Sequence, residues 1–276
     1  MSSRILLCVD GSTYSRAAAR VAIQLAAAEK QAHVTALHVV PVVKASGNLL
    51  KDIPGRLGFE PAVVAPEVYE THLRSGEDLL ADVARDAEQA GVELKTVNEA
   101  GAIAPTVAHH ARHVDLVVMG LRGTTEDQFP GQGGGHIDQI LDRMLVPVLF
   151  VSKDQKALTG IALGYDGSDG AARALKATAL VAAPTGLPVH TIYVSSDGTG
   201  GEVLDECGEL FPELDLHKHV VVSDEPHTAM AAKAVEEGAN VLVVGFRGRS
   251  KVKDFLYGTA ADYILMKTDL MVLVAH

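Results

Sequence analysis

Gly245-Phe-Arg-Gly248, nine further residues and then Gly258-Thr259 form the densest group in this sequence that could hold a ligand. Glycines let backbone N–H groups come close to an anion, and a helix starting near Ala260 would add unpaired donors and a positive dipole end. Thr259 would bring a hydroxyl to that helix start, and Arg247, Arg249, Lys251 and Lys253 favour phosphate. The plain alternative is a glycine-rich turn with a solvated basic face. Asp166 is the second feature, an aspartate closing the apolar run Ile161-Ala-Leu-Gly-Tyr165. It can accept hydrogen bonds from a ribose or an adenine, and it can equally cap the turn or helix that follows. The two features share a crevice only if the strands that carry them are neighbours, because ligands of open parallel sheets sit beyond the carboxyl ends of strands where the chain order reverses.

The elements that must position these residues occur twice. Ile5-Leu-Leu-Cys-Val-Asp10-Gly-Ser12 reappears as Ile161-Ala-Leu-Gly-Tyr-Asp166-Gly-Ser168, each followed by an Ala-rich helical stretch. Val114-Asp-Leu-Val-Val-Met-Gly120-Leu-Arg-Gly123 matches Ala239-Asn-Val-Leu-Val-Val-Gly245-Phe-Arg-Gly248, and Val146–Val151 matches Leu270–Ala275. Three matches in one order define an internal repeat. Strands are expected near 4–9, 33–40, 92–98, 115–120 and 147–152, and again near 160–165, 187–194, 217–222, 240–245 and 270–275. Short aliphatic runs alternating with helices read as parallel strands buried on both faces. Ser12 and Ser168 are the expected N-caps of the first helix in each half. Tyr69, Leu73, Leu80, Val83 and Ala87 form a core stripe at helical spacing. Asp10 to Asp166 is an offset of 156 and Gly120 to Gly245 one of 125, so the first half carries about 31 extra residues. Most fall between Pro41 and Pro66, a stretch that reads as a long loop.

Composition agrees with this plan. Of 276 residues 47% are hydrophobic and only 4% aromatic, with no Trp, which suits aliphatic strands under Ala-rich helices. The net charge of −11 argues against nucleic acid as a partner, since that affinity is built from clustered Lys and Arg. No apolar stretch approaches the ~20 residues of a membrane span, and the first residues lack a signal-peptide core, so a cytoplasmic location is expected. Cys8 and Cys207 have no metal or redox spacing and read as small hydrophobes.

Other catalytic patterns are missing. There is no G-x4-G-K loop, no early G-x-G-x-x-G and no G-x-S-x-G elbow. Among the twelve histidines, His109 and His113 are four apart on an expected helix, and His217 and His219 point the same way along an expected strand. Zinc needs a third protein ligand and the local sequence places none, so both pairs read as surface histidines and no metal ligand is assigned. His38 reads as structural.

The spacing G-x2-G-x9-G-T, with a strand end of Val-Asp-Gly-Ser type, resembles the ATP-binding subset of the universal stress protein family. The resemblance covers nearly the whole chain, twice, apart from 41–66. It implies tandem domains, 1–153 and 154–276, each a doubly wound, Rossmann-like α/β fold with a five-stranded parallel sheet of order 3-2-1-4-5. It also implies ATP, with Mg²⁺ accompanying the phosphates, held in the second half by Asp166, Val194, Gly245, Gly248, Gly258 and Thr259. In the first half Asp10, Val39, Gly120 and Gly123 match. There neither Gly133-Gly134 nor Gly134-Gly135 supplies the Ser or Thr, and Glu126 and Asp127 stand where the second half has Lys251 and Lys253. Phosphate binding is therefore expected to favour the second half. The function implied is a stress-response protein whose nucleotide occupancy alters conformation or partner choice. A slow Mg-dependent ATP hydrolase and a module for a non-nucleotide ligand are the alternatives; no general base is evident near the phosphates, so no catalytic residue is assigned. The family commonly pairs domains through the last strand, so 146–151 and 270–275 are expected to meet within the chain. Association of two chains as a homodimer is left open.

Overall fold

The computed structural model describes residues 3–29, 32–41, 66–124, 137–245 and 269–276. The first half runs β1 (Arg4–Cys8), α1 (Thr13–Ala28), β2 (His33–Pro41), α2 (Pro66–Gln89), β3 (Leu94–Gly101), α3 (Ile103–Ala111), β4 (Leu116–Gly120), α4 (Ile137–Leu141) and β5 (Val148–Val151). The second runs β6 (Ile161–Gly164), α5 (Asp169–Thr185), β7 (Val189–Ser195), α6 (Gly201–Leu210), β8 (Leu216–Val222), α7 (Pro226–Glu236), β9 (Val241–Gly245) and β10 (Met271–Ala275). Every strand expected from the sequence is present within two or three residues at either end. Of the extra segment, Pro41 closes β2 and Pro66 opens α2; 42–65 lie outside the described residues, as does the helix expected near Ala260.

Within each half the strand order is 3-2-1-4-5, and all neighbours run parallel. The two sets join into a single ten-stranded sheet of order β3-β2-β1-β4-β5-β10-β9-β6-β7-β8. The joint is the one antiparallel pairing among the described residues, with Phe150 opposite Val272, Leu149 opposite Leu273 and Val148 opposite Val274. Sequence and position in the sheet agree. The central strands β5 (VLFV) and β10 (MVLVA) are buried at every residue, as strands covered on both faces must be. The edge strand β8 (LHKHVVV) is largely solvated, and its Lys and His residues discourage further pairing.

Helices α1, α2, α5 and α6 cover one face and α3, α4 and α7 the other, and each core runs unbroken across the joint. One contains Leu149, Val151, Met271 and Leu273, the other Val148, Phe150, Val272 and Val274. Within α2, Leu80, Val83 and Ala87 are buried and Leu73 is half-buried; the Tyr69 side chain lies outside the described residues. The β5–β6 connection is tied to both halves: Gln155 Nε2 donates to Asp269 O at 2.6 Å, and the Leu158 amide donates to Gln24 Oε1 at 2.9 Å.

After β10, His276 is partly buried. Loss of solvent, and then the nearby Arg173, push its imidazole down to about 4. The unfolded chain takes up that proton near 6.5, so between those values the folded form binds fewer protons. Its contribution to stability is therefore complete above about pH 6.5 and is lost as pH falls toward 4. Burial also lowers His190, His219 and His227, and all four act with the same sign. Urea titrations at pH 7 and pH 4.5 should show a smaller acid loss in His276→Gln, by roughly 1–2 kcal/mol once its partial contact with water is allowed for. An unchanged acid loss would remove His276 from the account.

Candidate functional site at the carboxyl ends of the strands

Each half turns from its first strand into its first helix through Asp-Gly-Ser. Gly11 and Gly167 adopt φ of 84° and 74°, a left-handed turn that side-chain-bearing residues resist. Ser12 Oγ accepts from the Ser15 amide at 3.0 Å and Ser168 Oγ from the Ala171 amide at 3.2 Å, so both expected N-caps form. The aspartates brace these turns: Asp10 Oδ1 accepts from the Ser12 amide and Asp166 Oδ1 from the Ser168 amide, each at 3.0 Å.

β1 lies between β2 and β4, and β6 between β7 and β9, so the order reverses at β1 and β6. Asp10, Val39, Gly120 and Gly123 accordingly gather at the carboxyl ends of three adjacent strands, and Asp166, Val194 and Gly245 do so in the second half. Val39 and Val194 are half-buried against the same-face core. His38 Nδ1 lies 2.8 Å from Val9 O, pinning β2 to the end of β1, in keeping with a structural role. Gly248, Gly258 and Thr259, the basic residues of their loop, and Glu126, Asp127 and Gly133–Gly135 lie outside the described residues.

In the first half the crevice is bridged by its own aspartate. Asp10 Oδ2 accepts from the Thr124 amide at 3.1 Å, so the carboxylate links the β1 turn to the segment after β4. A Cβ on Gly123 would stand 2.8 Å from that same oxygen. Asp166 is exposed, and among the described residues its carboxylate accepts from Ser168 alone.

Gly120 and Gly245 have a role that sequence reasoning did not give them. A Cβ on Gly120 would lie 2.8 Å from Tyr14 Cβ and 2.9 Å from the Ser15 amide nitrogen, and one on Gly245 would collide with the backbone of Gly170. The first turns of α1 and α5 press directly on the ends of β4 and β9, and only glycine leaves them room.

The cysteines are chemically quiet. Burial pushes the Cys8 thiol up to about 12 and the Cys207 thiol up to about 11, so neither offers a thiolate. His109 and His113 are exposed and, with His33, His110, Arg4 and Lys95, line a cavity of about 260 Å³. His113 falls beyond the end of α3. The pair His217 and His219 separates: His217 Nε2 lies 3.3 Å from Asp215, while His219 turns to His190, which it meets at 3.1 Å between Nε2 and Nδ1.

The universal stress protein family model matches residues 1–152 and 209–276, most of the chain. The chain therefore belongs to the universal stress protein family. It is 24% identical to universal stress protein Slr1230 of Synechocystis over 290 residues, which is 98% of each chain. It is also 29% identical to universal stress protein YxiE of Bacillus subtilis over 125 residues, covering 45% of this chain and 81% of that one. Among solved structures, a universal stress protein from Archaeoglobus fulgidus superposes with a TM-score of 0.78 at 23% identity, over 100% of this chain and 98% of that one. This likeness extends to the whole tandem arrangement. No helix among the described residues is long and apolar enough to cross a membrane.

Proposed function

We propose that this chain is a cytoplasmic stress-response protein that binds ATP, accompanied by Mg²⁺, in the crevice of its second half, residues 154–276. Asp166, Val194, Gly245, Gly248, Gly258 and Thr259 would form that site. The observation that supports this most is the meeting of Asp166, Val194 and Gly245 at the strand ends where the order reverses, directly before the glycine- and Lys/Arg-bearing segment from 246 onward. The donor set fits the ligand: an exposed carboxylate for ribose or adenine hydroxyl and amine groups, and glycine amides, Thr259 and cationic side chains for phosphate. In the first half, residues 1–153, Asp10 is engaged on both oxygens, and the acidic Glu126 and Asp127 disfavour a triphosphate. Asp10, Val39, Gly120 and Gly123 would line that weaker site. Nucleotide occupancy acts by shifting the population between two conformations for which it has different affinity.

The test is calorimetric titration of the full chain with Mg-ATP. Gly258→Val should weaken binding at least about tenfold, because its side chain occupies the space through which backbone approaches phosphate. Gly123→Val should matter much less. Gly120 is unsuitable as the comparison because its substitution disturbs the fold itself. Retained affinity in Gly258→Val, together with loss in Gly123→Val, would place the working site in the first half. Mass spectrometry of the purified chain for bound nucleotide, and a turnover assay with Mg-ATP, separate this reading from a non-nucleotide module and from a hydrolase.

A further inference from the structure

We propose that His190, His219 and Glu237 form a binding site for a transition-metal dication of the zinc type, separate from the nucleotide crevice. The three come from different elements. His190 is the second residue of β7, His219 the fourth of β8, and Glu237 caps the carboxyl end of α7. The parallel register sets His190 beside His217 and Ile192 beside His219. Alternation along a strand therefore puts all three imidazoles on one face, the face that α7 covers through Ala231 and Ala234.

The geometry suits a small, tight coordination sphere. His190 Nδ1 and His219 Nε2 are 3.1 Å apart, close to the edge of about 3.3 Å that a tetrahedron with metal–nitrogen bonds of about 2.0–2.1 Å requires. Glu237 Oε2 is 3.7 Å from His190 Nδ1, and Oε1 is 3.7 Å from His219 Nδ1. One ligand atom can be taken from each residue so that all three lie within 4.8 Å of one another, and among the described residues this is the one such group of three. Two imidazoles and a carboxylate are the donors of zinc sites that keep a fourth position for water. Calcium and magnesium prefer oxygen-rich spheres.

The surroundings prepare these ligands. His190 is buried at 7% exposure, and His219 and Glu237 are half-buried, which leaves water access on one side. Burial lowers the imidazoles of both His190 and His219, which favours the uncharged form that offers a lone pair. His217 stacks on His190 with ring centroids 5.1 Å apart and fixes its plane. Lys233 Nζ holds Glu237 Oε1 at 2.6 Å and Glu236 at 2.9 Å, orienting the carboxylate. Its positive charge opposes a dication, so the site is a moderate binder, and a cation must compete with it for Glu237.

The site belongs to the second half alone. Pairing of Ile5 with Val34 and of Ile161 with Val189 makes Thr35 the counterpart of His190, and Lys95 and Val97 those of His217 and His219. None of the three counterparts is a metal ligand of this class. His190 lies four positions along β7, roughly 13 Å, before Val194 at the crevice end.

The full chain, stripped with chelator, is titrated with Zn²⁺ by calorimetry and with Co²⁺ by visible absorption, which reports low-symmetry nitrogen and oxygen coordination. One Zn²⁺ per chain is expected, with affinity reduced at least tenfold in His219→Asn and Glu237→Gln and unchanged in His113→Asn. Zinc at a hundredfold excess over its dissociation constant should raise the melting temperature of the wild type by about 3 °C or more and that of the two variants by no more than about half as much. Mg-ATP should alter none of this. If His219→Asn is poorly folded without metal, Glu237→Gln at the half-exposed helix end carries the comparison. Absence of Zn²⁺ binding, or equal binding by wild type and Glu237→Gln, overturns the assignment.

Discussion

Gly245→Ala is expected to destabilise the protein by about 3 kcal/mol or more, far beyond the usual cost of adding one methyl group. Overpacking a dense interior costs about 1–3 kcal/mol when side chains can rotate aside. Here the added Cβ meets the carbonyl carbon and oxygen of Gly170, which are backbone atoms in the first turn of α5 and have no rotamer to change. Either the helix lifts from β9 or the strand end moves. Gly120→Ala should behave alike, since its contacts are Tyr14 and the Ser15 amide. That amide is held by the Ser12 cap, so a shift of α1 also endangers a cap worth about 1 kcal/mol. Gly201→Ala is the control, because nothing lies within 4 Å of its added carbon. Urea denaturation of the three variants decides the matter, and a loss below about 1 kcal/mol at Gly245, the low end of overpacking costs, would show that the helix gives way easily.

Phe150→Ala should cost about 3–5 kcal/mol, the range for deleting a buried aromatic ring. Phe150 is fully buried and stands opposite Val272 at the antiparallel joint. Its ring belongs to a core that continues into both halves through Val148, Val272 and Val274. The neighbouring β10 is itself paired on both sides, so collapse around the cavity is restricted. Leu145→Ala, at 86% exposure, should change stability little. A Phe150→Ala loss below about 1.5 kcal/mol in urea titration would mean that the joint relaxes to fill the space.

The strands were legible because each is a short aliphatic run between turn residues, and the repeat marked the first, fourth and fifth strands of each half twice. The wholly apolar β5 and β10 marked themselves as interior, and their meeting followed from the family resemblance. The antiparallel direction of that meeting is written in neither strand; it arises because two like halves face each other. The crevice was legible in outline through Asp10, Asp166 and the glycines. Gly120 and Gly245 carried a further constraint invisible to a motif, since the atoms they accommodate belong to helices more than seventy residues away. His190, His219 and Glu237 escaped notice for the same reason. His190 and His219 are 29 positions apart and become neighbours only through strand register, while Glu237 arrives from the end of a helix. Local spacing had instead offered His217 as the partner, and the register turns that ring into a stacking platform.

The place of β10 sets a timetable for synthesis. It lies between β5 and β9 at the middle of the sheet, yet among the described residues it follows the nine other strands in chain order. Val272 leaves the ribosome about 120 residues after Phe150, its partner across the joint, a delay of roughly 6–24 s at about 5–20 residues per second. Throughout that interval the nascent chain holds one fully apolar strand, β5, whose outer edge has no mate, and such edges template unwanted pairing. On crowded polysomes, neighbouring nascent chains would present identical edges to one another. The burden of keeping them apart falls on chaperones or on translation speed, because the sequence places the closing strand last.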